Sequence, residues 1–166
     1  MIVATAPAVY SPASPALGCP AASRILSREV PMKISPYLDF DGNGMEAAEY
    51  YAGKLGGEIV MAMKFGEMPE QPDWVTEEMK DRLAHATIKF GDDVIMISDT
   101  AGQEPFQGHH GVTLQVAVDT VEAGEALFNE LAADGEVRMP YGPQFWAKGF
   151  GMLRDKFGVQ WMVNCD

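Results

Sequence analysis

Hydrophobic and polar residues alternate with two different periods along residues 33–100. The run KISPYLDF alternates at every second position, which predicts a β-strand, and the turn DGNG follows it. MEAAEYYAGKL has helical spacing and predicts a helix near residues 45–55, which Gly56-Gly57 ends. EIVMAMKF reads as a second strand. After a long loop, HATIKF and VIMIS predict a hairpin across residues 91–93.

The same order of elements returns in the second half of the chain. VTLQVAV predicts a strand, residues 121–133 an amphipathic helix, and EVRMPY, GFGMLRD and VQWMVN three further strands. A single shift places Asp41 on Asp119 and Ala48 on Ala126. The chain is therefore expected to contain two tandem βαβββ modules, about 33–100 and 111–164. Because neither sheet buries both of its faces alone, the two modules should pack together.

Residues 1–31 differ from the rest, being rich in Ala, Pro and Ser, without the long apolar core of a secretory signal. Two interpretations remain open: a disordered or targeting extension, or residues upstream of a true start at Met32. In either case the expected domain covers residues 32–166.

Composition narrows the function. A formal net charge of −12 argues against a nucleic-acid partner, which needs a Lys/Arg footprint, and equally against an anionic membrane surface. No apolar run is long enough to span a bilayer. Cys19 and Cys165 lack the spacing of a redox or metal motif, so we expect reduced thiols and a cytoplasmic protein.

Several segments resemble one branch of a known superfamily. SPYLDFDGNGMEAAEYY, HATIKFGDDVIMISD and above all FWAKGFGMLRDKFGVQWMVN are similar to PhnB-like members of the vicinal-oxygen-chelate superfamily, which also contains glyoxalases and bleomycin-resistance proteins. The resemblance implies an α+β fold in which two βαβββ modules form a curved mixed-sheet cup, and it favours a homodimer. Members of this branch are sometimes labelled demethylubiquinone methyltransferases. The chain has no Gly-rich strand–helix turn for an adenosine cofactor, so we expect no such activity and no cofactor.

Metal-using members of the superfamily place four His, Glu or Gln ligands on the first and fourth strands of each module. The positions that match hold Ser35, Met96, Thr113 and Met162. Neutral hydroxyls are poor ligands for a divalent cation, and thioethers suit Cu(I) rather than Zn²⁺ or Mg²⁺. The resemblance therefore predicts a fold of this type without a metal.

Alternation predicts which strand residues share a face. Leu38, Phe40 and their equivalents should pack under the helices, and the opposite, mixed face should line the cleft. The candidate ligand-binding residues are Ser35, Tyr37, His85, Met96, Thr113, Gln115, Trp146, Phe150 and Met162. Trp146 and Phe150 suit an aromatic wall or, equally, packing between modules. His85 is the candidate general base, although a histidine on a strand is more often structural.

Two functions follow from this set. The first is binding or sequestration of a small hydrophobic or amphipathic molecule in the sheet cleft. The alternative is a metal-independent isomerase or lyase in which His85, Tyr37 or Asp39 transfers a proton. The residues do not identify the ligand, because methionine and aromatic walls accept many shapes.

Overall fold

Each half of the chain folds as one helix on a four-stranded sheet. A computed structural model describes residues 33–102 and 105–166, in which Ser35–Asp166 form one compact unit. The elements of the first half are β1 (Tyr37–Phe40), α1 (Gly44–Leu55), β2 (Glu58–Lys64), β3 (Leu83–Phe90) and β4 (Asp93–Asp99). Those of the second half are β5 (Leu114–Ala117), α2 (Val121–Ala132), β6 (Glu136–Gln144), β7 (Ala147–Arg154) and β8 (Gln160–Cys165).

Both sheets have the same topology. The strand orders are β1-β4-β3-β2 and β5-β8-β7-β6, with the first and last strand of each module parallel and the other pairs antiparallel. The expected α+β class, with tandem βαβββ modules and mixed sheets, is confirmed. Both predicted helices are present to within one residue at each end.

The first strand of each module is shorter than the sequence pattern suggested. β1 begins at Tyr37 rather than at Lys33, because Pro36 has no N–H for the ladder; its carbonyl still accepts from the Met96 N–H at 3.0 Å. β5 begins at Leu114 rather than Val112. Ser35 and Thr113 therefore precede their strands, and the prediction that both lie within them was wrong.

The helix-facing sides of the sheets form the core. Leu38, Phe40, Ile95, Ile97, Trp161 and Val163 are buried, as their alternation predicted, and all belong to one hydrophobic cluster that spans both modules. Burial of each large side chain contributes about 1.5–3 kcal/mol. This cluster also explains the Gly-Phe-Gly run in β7: a Cβ on Gly151 would lie 2.6 Å from the Phe128 ring of α2.

A buried carboxylate joins the two modules. Asp155, 3% exposed, follows β7, and its Oδ2 accepts from the Tyr51 hydroxyl of α1 at 2.7 Å and from Trp161 Nε1 at 2.8 Å. Its Oδ1 accepts the backbone N–H groups of Phe157 and Val159. Four donors compensate the charge, as burial of an ion requires. The Tyr51 bond fixes the first helix against the second sheet.

A second buried carboxylate shapes the turn that leads into α1. Asp99, at the end of β4, accepts the N–H groups of Gly42, Gly44 and Leu83, each at 2.8 Å. The turn DGNG thereby closes onto the end of β4 and sets the direction in which β1 leads into the helix.

The extension at residues 1–31 lies outside the described residues. Among residues 33–102 and 105–166, no helix is both long and apolar enough to cross a bilayer.

Candidate functional site

The sheet faces that point away from the helices carry the candidate chemistry. In the first module, β-pairing aligns Tyr37 of β1, Met96 of β4, Thr87 of β3 and Met61 of β2 in one row across the sheet. Period-two alternation places these side chains on the face opposite the core. Tyr37 and Met61 are close to half exposed.

A chain of hydrogen bonds crosses this face. The Tyr37 hydroxyl lies 3.0 Å from His85 Nδ1, so the phenol reaches over β4 to a residue of β3. His85 Nε2 lies 2.9 Å from Thr87 Oγ1. Each ring nitrogen therefore faces a hydroxyl, and because hydroxyls both donate and accept, either neutral tautomer of His85 satisfies both bonds.

A carboxylate stands beside this chain. Asp39 lies two residues after Tyr37 on the same face of β1, and its Oδ1 accepts from the Ser98 hydroxyl at 3.0 Å. Its Oδ2 has no protein partner within the described part of the chain. Asp39 is exposed, whereas Ser98 is buried. One carboxylate oxygen is therefore held in place and the other faces outward.

The second module carries a different set of side chains at the equivalent places. The row that matches Tyr37, Met96, Thr87 and Met61 consists of Gln115, Met162, Met152 and Met139. Ala117 stands where the first module has Asp39, and Asn164 and Phe150 complete that neighbouring row. The first module thus presents proton-transfer groups, and the second thioethers, amides and an aromatic ring.

A cavity of about 500 Å³ lies between the edge strands β1 and β5. Its walls are residues 36–39, the linker residues 105–110, and Thr100, Val112, Leu114 and Val159. This volume is within the range of small-molecule pockets. Residues 36–39 line the cavity from both faces of β1, so the cavity meets the edge of that strand and adjoins the sheet face that carries Tyr37 and Asp39.

His109 holds the linker against the first module. Its ring packs edge-on against Phe40 at 5.0 Å and against Phe106 at 5.5 Å between centroids. Burial lowers the pKa of His109, although the carboxylates of Asp155 and Asp39 act in the opposite direction. Its Nε2 is buried and has no hydrogen-bond partner among the residues that the structure describes. His109 is therefore a packing residue of the cavity wall. Its position in a Gly-rich linker did not predict this role.

The predicted site residues do not all come together. Tyr37, His85 and Met96 share one face of the first sheet. Gln115, Phe150 and Met162 share the equivalent face of the second sheet. Of the predicted ligand-binding residues, only Tyr37 lines the cavity. The sequence did not predict that linker residues 105–110 would line it. Trp146 contacts Phe150 edge-on at 5.8 Å between centroids, and it contacts Phe145 edge-on at 4.4 Å at the tip of the β6–β7 hairpin, where Phe145 is 96% exposed.

The donor set does not suit a divalent metal. The four positions that the resemblance predicted for metal ligands hold two hydroxyls and two thioethers, from Ser35, Thr113, Met96 and Met162. Within residues 33–102 and 105–166, no three His, Cys, Asp or Glu side chains stand together as a metal site would need.

Comparison with known proteins agrees with this fold. A model of the family described as 3-demethylubiquinone-9 3-methyltransferase matches residues 32–164. Protein YjdN of Escherichia coli (strain K12) is 39% identical over 140 residues, which cover 80% of this chain and 95% of YjdN. Protein PA1353 from Pseudomonas aeruginosa is 44% identical with a TM-score of 0.74, covering 81% of this chain and 98% of that one.

More distant structures extend the comparison. The PhnB protein from Bacillus cereus is 29% identical with a TM-score of 0.68, covering 81% of this chain and all (100%) of that one. Solved structures of glyoxalase-related and bleomycin-resistance proteins have the same fold, and their sequence identities to this chain are too low to show more than that. The chain therefore belongs to the PhnB-like family that this 3-demethylubiquinone-9 3-methyltransferase model describes.

Proposed function

We propose that the protein binds a small hydrophobic or amphipathic molecule without the help of a metal. The observation that carries this proposal is the cavity of about 500 Å³ between β1 and β5, which adjoins the first-module face at Tyr37 and Asp39. Its lining is mixed: Pro36, Leu38, Val112 and Leu114 are apolar, and the polar residues are Tyr37, Asp39, Thr100, Gln107, His109 and His110. Such a mixture suits an apolar body with one polar group.

The methionines of both sheets support the same reading. Met96 and Met162 occupy equivalent positions on the two faces, next to Tyr37 and Gln115 respectively. Thioether side chains are flexible and polarizable, so they adapt to ligands of several shapes. None of the described residues that line the cavity is a methionine, so we expect the ligand to extend from the cavity past Tyr37 and Asp39 onto the sheet face, where its apolar part contacts Met96.

A homodimer is part of this proposal. Phe145, Trp146 and Val137 expose large apolar surfaces on the β6–β7 hairpin, and Val60 and Met61 do so on the edge strand β2. Exposed apolar side chains grouped in this way are typical of protein interfaces. Pairing through either edge would cover the apolar side chains that this edge exposes.

A second candidate function is metal-independent proton transfer of the isomerase or lyase kind. The hydrogen bonds from Tyr37 to His85 and on to Thr87 favour it, because they connect an exposed phenol to an imidazole. Methyl transfer, which the description of the family model names, is not part of either proposal.

Methionine-methyl NMR tests the binding proposal. Protein labelled with ¹³C at the methionine methyls is titrated with two amphiphiles of different shape, 2-naphthol and 1-octanol. We expect saturable shifts of Met96, on the cleft face, and none of Met79, which is buried beside the loop before β3 and serves as the internal control. If neither compound moves any cleft-face methyl, or if all eleven methionines respond alike, the proposal is wrong.

A further inference from the structure

We propose that Tyr37 and Asp39 together enolise an apolar ketone, with His85 as the residue that positions and supports Tyr37. This inference rests on the second candidate function and on the binding proposal. It assigns separate roles to side chains that the sequence offered only as alternatives, and it names the substrate class: a carbonyl compound with an acidic hydrogen on the adjacent carbon.

The two tautomers of His85 give Tyr37 two states. When Nδ1 carries the hydrogen, it donates to the Tyr37 oxygen, and Thr87 donates to Nε2; the Tyr37 hydrogen is then free to point at a ligand. When Nε2 carries the hydrogen, Tyr37 donates to Nδ1 and presents only its oxygen. The first state is the one that stabilises a phenolate after Tyr37 has given its proton away.

Asp39 supplies the base. Ser98 fixes Oδ1 at 3.0 Å, and Oδ2 has no partner among the described side chains, so one oxygen is both oriented and free. Asp39 and Tyr37 lie on the same face of β1, two residues and therefore about 7 Å apart along the strand. Both residues also border the cavity at the edge of β1, and the proposal places the ketone on the sheet face that the two side chains share.

The proposed step balances without a cofactor. The Asp39 carboxylate removes a hydrogen from the carbon next to the carbonyl as a proton. The electron pair of that C–H bond forms the C=C bond, and the carbonyl oxygen takes the Tyr37 proton to give an enol. Water returns the proton from Asp39 to the Tyr37 phenolate, which is possible because Tyr37 is 47% exposed. Reversal in D₂O places deuterium on carbon.

The asymmetry between the modules argues that this chemistry belongs to the first one alone. The second module has Gln115 where the first has Tyr37, and Ala117 where the first has Asp39. Neither replacement transfers a proton at neutral pH.

Exchange of the α-hydrogens of β-tetralone into D₂O, followed by ¹H NMR, tests the assignment. We expect Tyr37→Phe and Asp39→Asn each to slow protein-catalysed exchange about 100-fold, the usual range for loss of a general acid or base. Tyr50→Phe is the matched control, since it removes a hydroxyl that bonds the Glu130 carbonyl on the helix side. Its exchange rate should equal that of the unmodified protein.

Binding measurements separate this inference from the binding proposal. 2-Naphthol has the carbon skeleton of enolised β-tetralone, so we expect it to bind about tenfold more tightly than the ketone, and Tyr37→Phe to remove that preference. ¹⁵N NMR of His85 should show the Nδ1–H tautomer gaining population when 2-naphthol binds. If β-tetralone shifts the Met96 methyl but exchanges no faster than in buffer, enolisation is refuted and binding stands. If β-tetralone shifts no cleft-face methyl, enolisation is refuted, and the binding proposal falls with it only if 2-naphthol and 1-octanol shift none either.

Discussion

Removal of the buried Asp155 carboxylate should destabilise the protein more than any other single change at the boundary between modules. Asp155→Ala leaves two buried side-chain donors, Tyr51 and Trp161, and two backbone N–H groups without their acceptor. Each buried donor left unpaired costs about 1–3 kcal/mol, and water reaches the Phe157 N–H more easily than the other three. We therefore expect a loss of about 3–5 kcal/mol, a large part of a typical stability of about 5–15 kcal/mol.

Two milder variants calibrate this value. Asp155→Asn keeps one acceptor oxygen but turns an N–H toward Trp161 Nε1, so we expect a loss of about 2 kcal/mol. Tyr51→Phe removes one bond to a charged acceptor, about 1.5 kcal/mol. Urea unfolding followed by fluorescence measures all three against Asp73→Ala, which removes an exposed carboxylate. An Asp155→Ala midpoint indistinguishable from that control would refute the assignment of Asp155 as the bond between modules.

Three further predictions concern pH, assembly and packing. Burial, and then the Asp155 carboxylate, raise the pKa of Tyr51 above 10.0, so the folded state keeps this proton when the unfolded state loses it. Tyr51 should therefore lower the unfolding free energy above pH 10 by about 1.4 kcal/mol per pH unit. In alkaline urea titrations Tyr51→Phe should remove this contribution and leave the smaller ones of Tyr50 and Tyr141, whose pKa values burial also raises. Light scattering should find a dimer at micromolar concentration. If the β6–β7 hairpin is the interface, the double variant Phe145→Ser, Val137→Ser should shift the equilibrium toward monomer. An unchanged dimer would place the interface elsewhere. Gly151→Ala should lower the unfolding free energy, measured by calorimetry, by about 1–3 kcal/mol because the added methyl meets the Phe128 ring. Gly53→Ala, which has open space around its Cβ, should leave the unfolding free energy unchanged or raise it. Equal effects of the two substitutions would contradict the packing described for β7.

Hydrophobic periodicity, together with the glycine and capping residues at element ends, was sufficient to predict the helices and strands. The helix at Gly44–Leu55 ends where Gly56 adopts a positive φ of 68°, and the helix at Val121–Ala132 begins where Thr120 accepts the Ala123 N–H. Local chemistry determines these boundaries, so a local pattern finds them. Pro36 shows the limit: its position in an alternating run favoured a strand, but its missing N–H moved the start of β1 to Tyr37.

The site was harder to predict because its contacts are not local. Tyr37 and His85 are 48 residues apart, and Tyr51 and Asp155 are 104 apart. Strand alternation places each side chain on a face but gives neither the reach of a phenol across β4 nor the folding of the linker 105–110 against β1. The register between strands, which decides both, depends on the packed core rather than on any motif.

The central claim, that this fold binds small amphipathic molecules without a metal, is tested most directly by one titration on metal-depleted protein. The purified protein is dialysed against a chelator, its metal content is measured by elemental analysis, and 2-naphthol is titrated while the Met96 methyl signal is followed. We predict substoichiometric transition metal throughout and the same affinity before and after dialysis. Stoichiometric Zn, Ni or Fe that survives the chelator, or binding that disappears on dialysis and returns when metal is added back, would contradict the claim.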